Sequence, residues 1–379
     1  MFLDVFLLKV DILTEAEKAA YESFLNRCEF SSIQHDLDWR TVVCDLKKDE
    51  PYFVVAKENE KIVGVLPLYY YKCKFGNLLT TTAWYTISGI IHSEEGHRQE
   101  IYKALLDYSV NLARELDCVA ISIGTSPFLN DNELYLDYFK TDYVLENFVQ
   151  AITLSDVFNE EGKLIHPNYV KRSDITRNLK KAQRQPITLS EEQTRSNVDE
   201  WFRIHEKRMG ELDSTPIPRE LFNSILKNMV LKEKGKFLFA FYKDKMIFGD
   251  VFLFNKKKMD AFMISADSGY TRLGVNYLAV NHMIRLANKK NISVFDWMSS
   301  PKKGDGVYKW KEKWGSHERT FLYLTKILGD ISQWNGMDVT KLKEAYPFHY
   351  LLPFNMLNNR NPKSTKKSEV TSFMRSLSK

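Results

Sequence analysis

The sequence predicts a mixed α/β protein made of two tandem halves that share one architecture. Its length supports two halves, because 379 residues with 44% hydrophobic content are enough for a core in each. Repetition supports the shared architecture, because the strand, turn and strand pattern of 51–72 returns at 236–257. A helix end that runs into a strand at 111–123 likewise returns at 285–297, in the same order. We therefore predict a tandem duplication.

The elements of each half follow from local patterns. Thr14 and Glu17 have the spacing of a capping box, which predicts a helix after an opening strand. Aligning Gly64 with Gly249 superimposes the two strand pairs and their turns. One apolar helical face is predicted in the first half, formed by Ile101, Leu105, Tyr108, Leu112 and Leu116. Each half is thus expected to run from helices through an antiparallel hairpin to a helix and then a strand.

The predicted boundary between the halves lies near residue 155, where a strand gives way to a polar stretch. The first domain is expected to span 1–155 and the second 156–330. Residues 331–379 form a C-terminal extension. The last ~20 residues contain few apolar side chains and are expected to be flexible.

Several classes of protein lack support in the sequence. The four cysteines are widely spaced and form no C-x-x-C pair, so neither a zinc site nor a disulfide framework is predicted. No H-E-x-x-H or G-x-S-x-G motif occurs, which leaves metal ligands and a serine nucleophile without support. Because no membrane-spanning segment and no export signal is recognised, we expect a cytoplasmic protein. The net charge of +5 favours phosphate-bearing partners without requiring nucleic acid.

The segment "GDGVYKWKEKWG" at 304–315 concentrates aromatic rings and lysines. In a helix, Val307, Trp310 and Trp314 would form one apolar stripe. Lys311 would lie at the border of that stripe, where its stem can cover an indole while its ammonium faces a cleft. The alternative is an ordinary amphipathic helix whose lysines are solvated.

This segment, together with "RNLKKA" at 177–182 and "FDW" at 295–297, resembles the FemABX peptidyltransferases and the BioF2-like acyltransferase domains. The family's closing motif contains a glycine, an aromatic, Phe-Lys or Tyr-Lys, and an aromatic before a second glycine. Here those places hold, in order, Gly306, Tyr308, Trp310 with Lys311, and Trp314 with Gly315. Tryptophan stands where phenylalanine is commoner. The resemblance extends over about residues 30 to 325.

The resemblance implies two acyl-CoA N-acyltransferase-like (GNAT-like) domains and a transferase activity. An acyl or aminoacyl group would pass to an amine or hydroxyl of a cell-envelope or surface-glycan precursor, which is either a small molecule or linked to a lipid or a nucleotide. The co-substrate would be acyl-CoA, which the modest basic surface favours, or aminoacyl-tRNA. No tightly bound cofactor is expected, and a peripheral membrane contact is compatible with the sequence. A non-catalytic protein that binds a phosphorylated sugar or RNA is the alternative from another class.

Three residues are candidates for catalysis. Lys311 is predicted to stabilise the oxyanion of acyl transfer or to bind phosphate. The family points to the same lysine. Tyr308 is predicted to donate a proton or to position the acceptor. Asp296, between aromatics at the end of a strand, is predicted to accept a proton from an attacking amine or to bind its ammonium form, with a simple turn carboxylate as the alternative.

Further candidates concern binding. Arg272, Gly274 and Asn276 precede or begin a helix and give fragments of a pyrophosphate-binding signature, although a plain helix cap explains them as well. Trp310 is predicted to contact substrate. The remaining substrate-binding candidates are Arg177 and Lys181, on one face of a basic helix, and Asp250, which would face a groove or lie on the solvent side of the sheet.

Overall fold

The computed structural model describes residues 8–28, 30–84, 88–93, 97–300, 302–334 and 337–349. The predicted tail after residue 360 and most of the opening strand lie outside these residues. Within them, no helix has the length and apolar character needed to cross a membrane.

The first half contains helices and strands in the predicted order. They are β1 (Lys9–Ile12), α1 (Lys18–Arg27), α2 (Leu37–Leu46), β2 (Asp49–Glu58), β3 (Lys61–Tyr71), β4 (Asn77–Thr80), β5 (Ile91–His92), α3 (Arg98–Glu115), β6 (Cys118–Gly124), α4 (Asn132–Phe139) and β7 (Tyr143–Thr153). The predicted capping box is present, because the backbone N–H and hydroxyl of Thr14 both donate to the Glu17 carboxylate.

The second half repeats this order. Its elements are α5 (Pro167–Val170), α6 (Asp174–Gln183), β8 (Ile187–Ser190), α7 (Arg195–Glu211), α8 (Arg219–Asn228), β9 (Gly235–Tyr242), β10 (Lys245–Asn255), β11 (Lys258–Ala266), α9 (Val275–Lys289), β12 (Val294–Ser299), α10 (Gly306–Glu312) and β13 (His317–Ile327), followed by α11 (Val339–Ala345). Helices, hairpin, helix and strand recur in both halves, which confirms the mixed α/β tandem fold.

One continuous sheet of 13 strands joins the halves, in the order β1-β2-β3-β4-β6-β13-β7-β12-β11-β10-β9-β8 with β5 on β3. The last strand of each half crosses to the other. β13 lies between β6 and β7, and β7 pairs with β12. Helices α1, α2, α7 and α8 pack on one shared core. Helices α3 and α9 pack on separate cores. The sheet is therefore continuous across the boundary predicted near residue 155.

The two glycines aligned from the sequence are not equivalent in the fold. A Cβ on Gly64 would lie 2.4 Å from Ile101 of α3, whereas a Cβ on Gly249 would lie 2.2 Å from Trp201 of α7. By their order in the chain, α3 corresponds to α9, so the two glycines face opposite sides of the sheet. A shift of one residue reverses the face in a strand, which accounts for the misalignment.

Gly249→Ala is expected to destabilise the protein by about 3 kcal/mol, because the added methyl group meets an indole that is itself fully buried. Denaturant unfolding of the variant measures this loss. Gly210→Ala is the matched control on α7, where a Cβ would meet nothing within 4 Å. Equal stabilities for the two variants would contradict the expected clash.

Candidate functional site

Helix α10 begins at an aspartate cap and carries the closing motif. The Asp305 carboxylate accepts a 2.7 Å hydrogen bond from the Tyr308 backbone N–H. Trp310 packs edge-on against Trp297 with ring centroids 5.2 Å apart, and against Trp314 at 5.9 Å. Trp314 is fully buried. Val307, predicted to share the buried stripe, is instead 46% exposed, because it faces an open cavity.

Lys311 is buried, and its ammonium holds the end of β12. Its Nζ donates to the backbone carbonyls of Trp297 at 3.0 Å, Met298 at 3.3 Å and Ser299 at 3.0 Å. An ammonium has three N–H donors, so this arrangement occupies all of them. Burial lowers the pKa of Lys311 to about 8, although the charge of Asp296 opposes the shift.

The end of β12 is bulged, which turns these carbonyls toward Lys311. The pairing of β12 with β7 changes register between Asp296 and Ser299. Met298 has a φ of 60°, the left-handed region that a methionine rarely adopts. The Asp296 carboxylate accepts a 2.8 Å hydrogen bond from the Met298 N–H and so holds this conformation. The bulge and Lys311 therefore stabilise each other.

A cavity of about 1150 Å³ opens beside this bulge. Its walls come from β11, the end of β12, α7 and α10, and they include Met209, Met263, Ile264, Val307, Trp310 and Lys311. β11 pairs with β12 only over Lys258–Asp260. Beyond Asp260, the edge of β11 that faces β12 has no strand partner among the described residues. The sheet thus opens into a cleft whose side is an unpaired strand edge.

Comparisons with known proteins identify this architecture. Residues 170–312 match the family described as acetyltransferase (GNAT) domain, and residues 11–136 match the acetyltransferase (GNAT) family. The chain is a tandem GNAT acyltransferase. No curated protein sequence matches the chain.

Solved structures share the tandem GNAT fold. FemX aligns with a TM-score of 0.64 at 11% identity, over 89% of this chain and 99% of that one. The L-PGS structure from Bacillus licheniformis aligns with a TM-score of 0.55 at 10% identity, over 90% of this chain and 97% of that one. A tandem GNAT protein from the clavulanic acid biosynthesis pathway aligns with a TM-score of 0.53 at 10% identity, over 86% of this chain and all (100%) of that one. These likenesses confirm the predicted FemABX-type fold.

Tyr308 lies apart from the cavity of the second GNAT half. Its hydroxyl donates to the Glu318 carboxylate at 3.1 Å, and its ring packs against Phe148 at 5.7 Å. Asp296 points to the other side of β12 from Lys311, where its Oδ2 lies 3.3 Å from the Lys258 ammonium. Of the three catalytic candidates, the structure therefore places only Lys311 on the large cavity. The roles of all three stay predictions.

Asp250 occupies neither predicted position. It is 0% exposed, and among the described residues neither of its carboxylate oxygens has a hydrogen-bond partner. Asp250 is two residues from Phe248 and from Phe252 and so lies on the same face of β10 as these two, which are in the core beneath α9. Burial raises the pKa of Asp250 well above its usual range. From the sequence we expected Asp250 to face a groove or solvent, because a strand often has one exposed face. In the structure, protein covers both faces of β10.

The three phosphate-binding candidates of the tandem GNAT chain have different surroundings. Arg272 is exposed. Gly274 has a φ of 86°, and a Cβ there would lie 3.1 Å from the Asn178 carbonyl oxygen of α6, so the close packing of α6 on α9 explains the glycine. Asn276 lines the large cavity, and its Oδ1 has no hydrogen-bond partner among the described residues. Phosphate binding by this segment stays a prediction.

The basic helix predicted from the sequence is α6, capped by the Ser173 hydroxyl, which accepts from the Thr176 N–H. Arg177 and Lys181 are exposed on it. Lys313, just after α10, forms a 2.8 Å ion pair with Asp174 at the start of α6. The basic surface of α6 is thereby attached to the helix that carries Lys311.

His205 of α7 is a cavity residue that the sequence analysis missed. Its Nε2 accepts from the Ile217 N–H at 3.2 Å, so Nδ1 carries the proton and donates to the Ser265 hydroxyl at 2.9 Å. Burial lowers the pKa of His205 to about 4, which keeps the ring neutral. The imidazole thus orients Ser265 and does not act as its base. No sequence motif links these residues, because they meet only through folding.

Proposed function

We propose that this protein transfers an acyl group from a coenzyme A thioester, bound in the large cavity, to an amine or hydroxyl of a cell-envelope or surface-glycan precursor. The observation that carries this proposal is the unpaired edge of β11 along an apolar cavity. An exposed strand edge binds an extended chain of amides by adding it as a further strand. The amide-containing arm of coenzyme A has that form, and the apolar walls suit the acyl chain.

Lys311 would assist the reaction through its charge. Its three N–H groups are engaged with carbonyls, so proton donation would require one of these bonds to break. A fixed cation in a cavity of low polarity still attracts the oxyanion that develops on the donor's carbonyl oxygen. The amine or hydroxyl forms the new bond to that carbon and gives up a proton, the carbon–sulfur bond breaks, and the thiolate leaves with the electron pair and takes up that proton.

A cavity-filling variant tests the donor site. Ile264→Trp would occupy part of the cavity and is expected to weaken acyl-CoA binding at least 10-fold, whereas Leu231→Trp, at a position 64% exposed and away from the cavity, should bind as the wild type does. The measurements are ligand-induced thermal stabilisation and release of free coenzyme A with acyl chains of increasing length. Equal acyl-CoA binding by both variants would mean that the donor does not bind in this cavity.

Aminoacyl-tRNA is the second candidate donor. The exposed cations of α6 next to α10 support it, and so does the structural likeness to FemX. Backbone phosphates would bind such a surface with an affinity that falls steeply as salt rises. In the same thermal experiment, stabilisation by charged tRNA that disappears with salt, together with silence for every acyl-CoA, would replace the coenzyme A donor by aminoacyl-tRNA.

A further inference from the structure

Lys258 is a buried cation at the start of β11 that no step of the proposed reaction uses. Its ammonium lies 2.7 Å from the Asp260 carboxylate of the same strand and 3.3 Å from the Asp296 carboxylate of β12, and all three side chains are at most 9% exposed. Asp260 and Asp296 are direct neighbours in the parallel pairing of the two strands. A buried charge cluster adds little net stability, because removing the charges from water offsets their attraction. Such a cluster acts mainly by fixing the positions of its members.

Asp296 connects this cluster to the bulge of β12. Its Oδ2 lies next to the Lys258 ammonium, and its Oδ1 accepts the 2.8 Å hydrogen bond from the Met298 N–H. This bond holds Met298 at a φ of 60°, a left-handed conformation that is unfavourable for a methionine. Hydrogen bonds to an ionised carboxylate are stronger than those to a neutral acceptor. The negative charge of Asp296 therefore supports the bulge.

The bulge in turn holds Lys311 on the opposite face of β12. The Lys311 ammonium donates to the carbonyls of residues 297, 298 and 299 at 3.0 to 3.3 Å. These carbonyls belong to the bulged residues, so their directions depend on the conformation of Met298. A path of contacts, none longer than 3.3 Å, thus runs from Lys258 through Asp296 and Met298 to Lys311.

The first half of the chain covers the charge cluster. The Lys258 ammonium lies 4.9 Å from the centre of the Phe128 ring, and Phe30 stacks on the same ring with centroids 6.4 Å apart. The enclosed space that remains beside Lys258 has a volume of about 30 Å³, the room of a single water molecule. One water molecule cannot replace a cation as the partner of two carboxylates. The two carboxylates therefore depend on Lys258 for their charge.

We infer that Lys258 is a positioning residue that fixes the place of Lys311 through the bulge of β12. Without Lys258, the two neighbouring carboxylates could not both be ionised and would share one proton. A carboxyl group that shares a proton accepts the Met298 N–H less strongly, so the bulge would open. The effect on catalysis rests on the proposed function, whereas the effect on the bulge does not.

Hydrogen exchange of the full chain, followed by mass spectrometry of peptides that contain Met298, tests the bulge without any ligand. We expect the Met298 amide to exchange at least about 10-fold faster in Lys258→Leu than in the wild type, because local opening frees it from Asp296. Lys258→Arg keeps the charge, and the space beside it admits the larger head group, so slow exchange should be retained. Lys257→Leu, at the exposed neighbouring position, is the matched control and should exchange as the wild type does.

A double-mutant cycle tests whether Lys258 acts through Lys311. In the wild-type background, Lys258→Leu should lower kcat for acyl-CoA hydrolysis about 10- to 100-fold and leave KM unchanged, as expected for a displaced catalytic group. In the Lys311→Met background the same substitution should have no further effect, because the contributions of residues that act as one unit are not additive. Lys258→Arg should restore most of kcat.

A second variant applies if Lys258→Leu does not fold. Combining Lys258→Leu with Asp260→Leu removes a cation and a carboxylate together. Replacing a buried ion pair by apolar groups of similar size is tolerated better than removing one partner. Asp296 still loses its cation in this variant, so the same faster exchange at Met298 and the same lower kcat are expected.

The outcomes separate this inference from the proposed function. Faster exchange at Met298 in a protein that hydrolyses no acyl-CoA would support the positioning role and remove the coenzyme A donor. Unchanged exchange in the Lys258 variants, with hydrolysis intact, would overturn the inference. Equal losses of kcat in the wild-type and Lys311→Met backgrounds would overturn it as well, because a residue that only supports the fold acts independently of Lys311.

Discussion

Replacing Asp250 with asparagine is expected to make the protein more stable, by an amount that grows as the pH rises. In the wild type, burial without a hydrogen-bond partner raises the pKa of this carboxyl group well above its usual range. Above a pH of about 4 the unfolded chain has lost this proton while the folded chain still holds it. Folding then costs about 1.4 kcal/mol for each further pH unit until the pKa of the folded state is reached.

Urea unfolding of the wild type and of Asp250→Asn at pH 4, 5 and 6 measures this effect. The difference in unfolding free energy should increase with pH in favour of the variant, by up to about 1.4 kcal/mol per unit. Asp244→Asn, in the exposed turn between β9 and β10, is the matched control for the substitution itself. A constant difference between wild type and Asp250→Asn across this range would mean that the carboxylate is ionised in the folded protein.

Lys311→Met is expected to lower kcat/KM about 100- to 1000-fold, the effect of removing one group that stabilises the oxyanion. The variant keeps the length of the side chain but loses the cation on the cavity wall. Lys309→Met, on the exposed side of the same helix, should retain activity and serves as the control. Thermal unfolding of both variants distinguishes a direct loss of catalysis from a loss of stability caused by disruption of the bulge at the end of β12.

The wild-type pH profile tests the same lysine without a substitution. Because burial lowers the pKa of Lys311 to about 8, its charge is present below that pH and is lost above it. Donor hydrolysis without an amine acceptor should therefore decline as the pH rises past about 8. Hydrolysis that rises steadily through pH 9, together with a fully active Lys311→Met variant, would exclude Lys311 from the reaction.

Much of the fold could be predicted because it depends on local sequence patterns. The capping box at Thr14, the repeated hairpins and the closing helix with Lys311 depend on neighbouring residues and on periodicity. The face of the sheet on which Asp250 lies could not be predicted, because a shift of one residue in the strand register reverses it. The bulge at Met298, which gives Lys311 its three carbonyl partners, likewise has no signature in the sequence.

The candidate site was predicted less completely than the fold. Lys311 and Trp310, which the family resemblance and the helical stripe both mark, line the large cavity, and their roles stay predictions. His205 was missed, because its hydrogen-bond partner Ser265 lies far away in the chain. His205 orients Ser265, which is 60 residues distant. Sequence spacing carries no information about such contacts between distant residues.

The exchange of final strands makes each half depend on the other for a complete sheet. If residues 1–155 were produced alone, β6 would lose β13 and β7 would lose both of its neighbours. Such bare strand edges recruit other chains and lead to aggregation. The two halves complete one sheet together, so we expect them to fold as one unit.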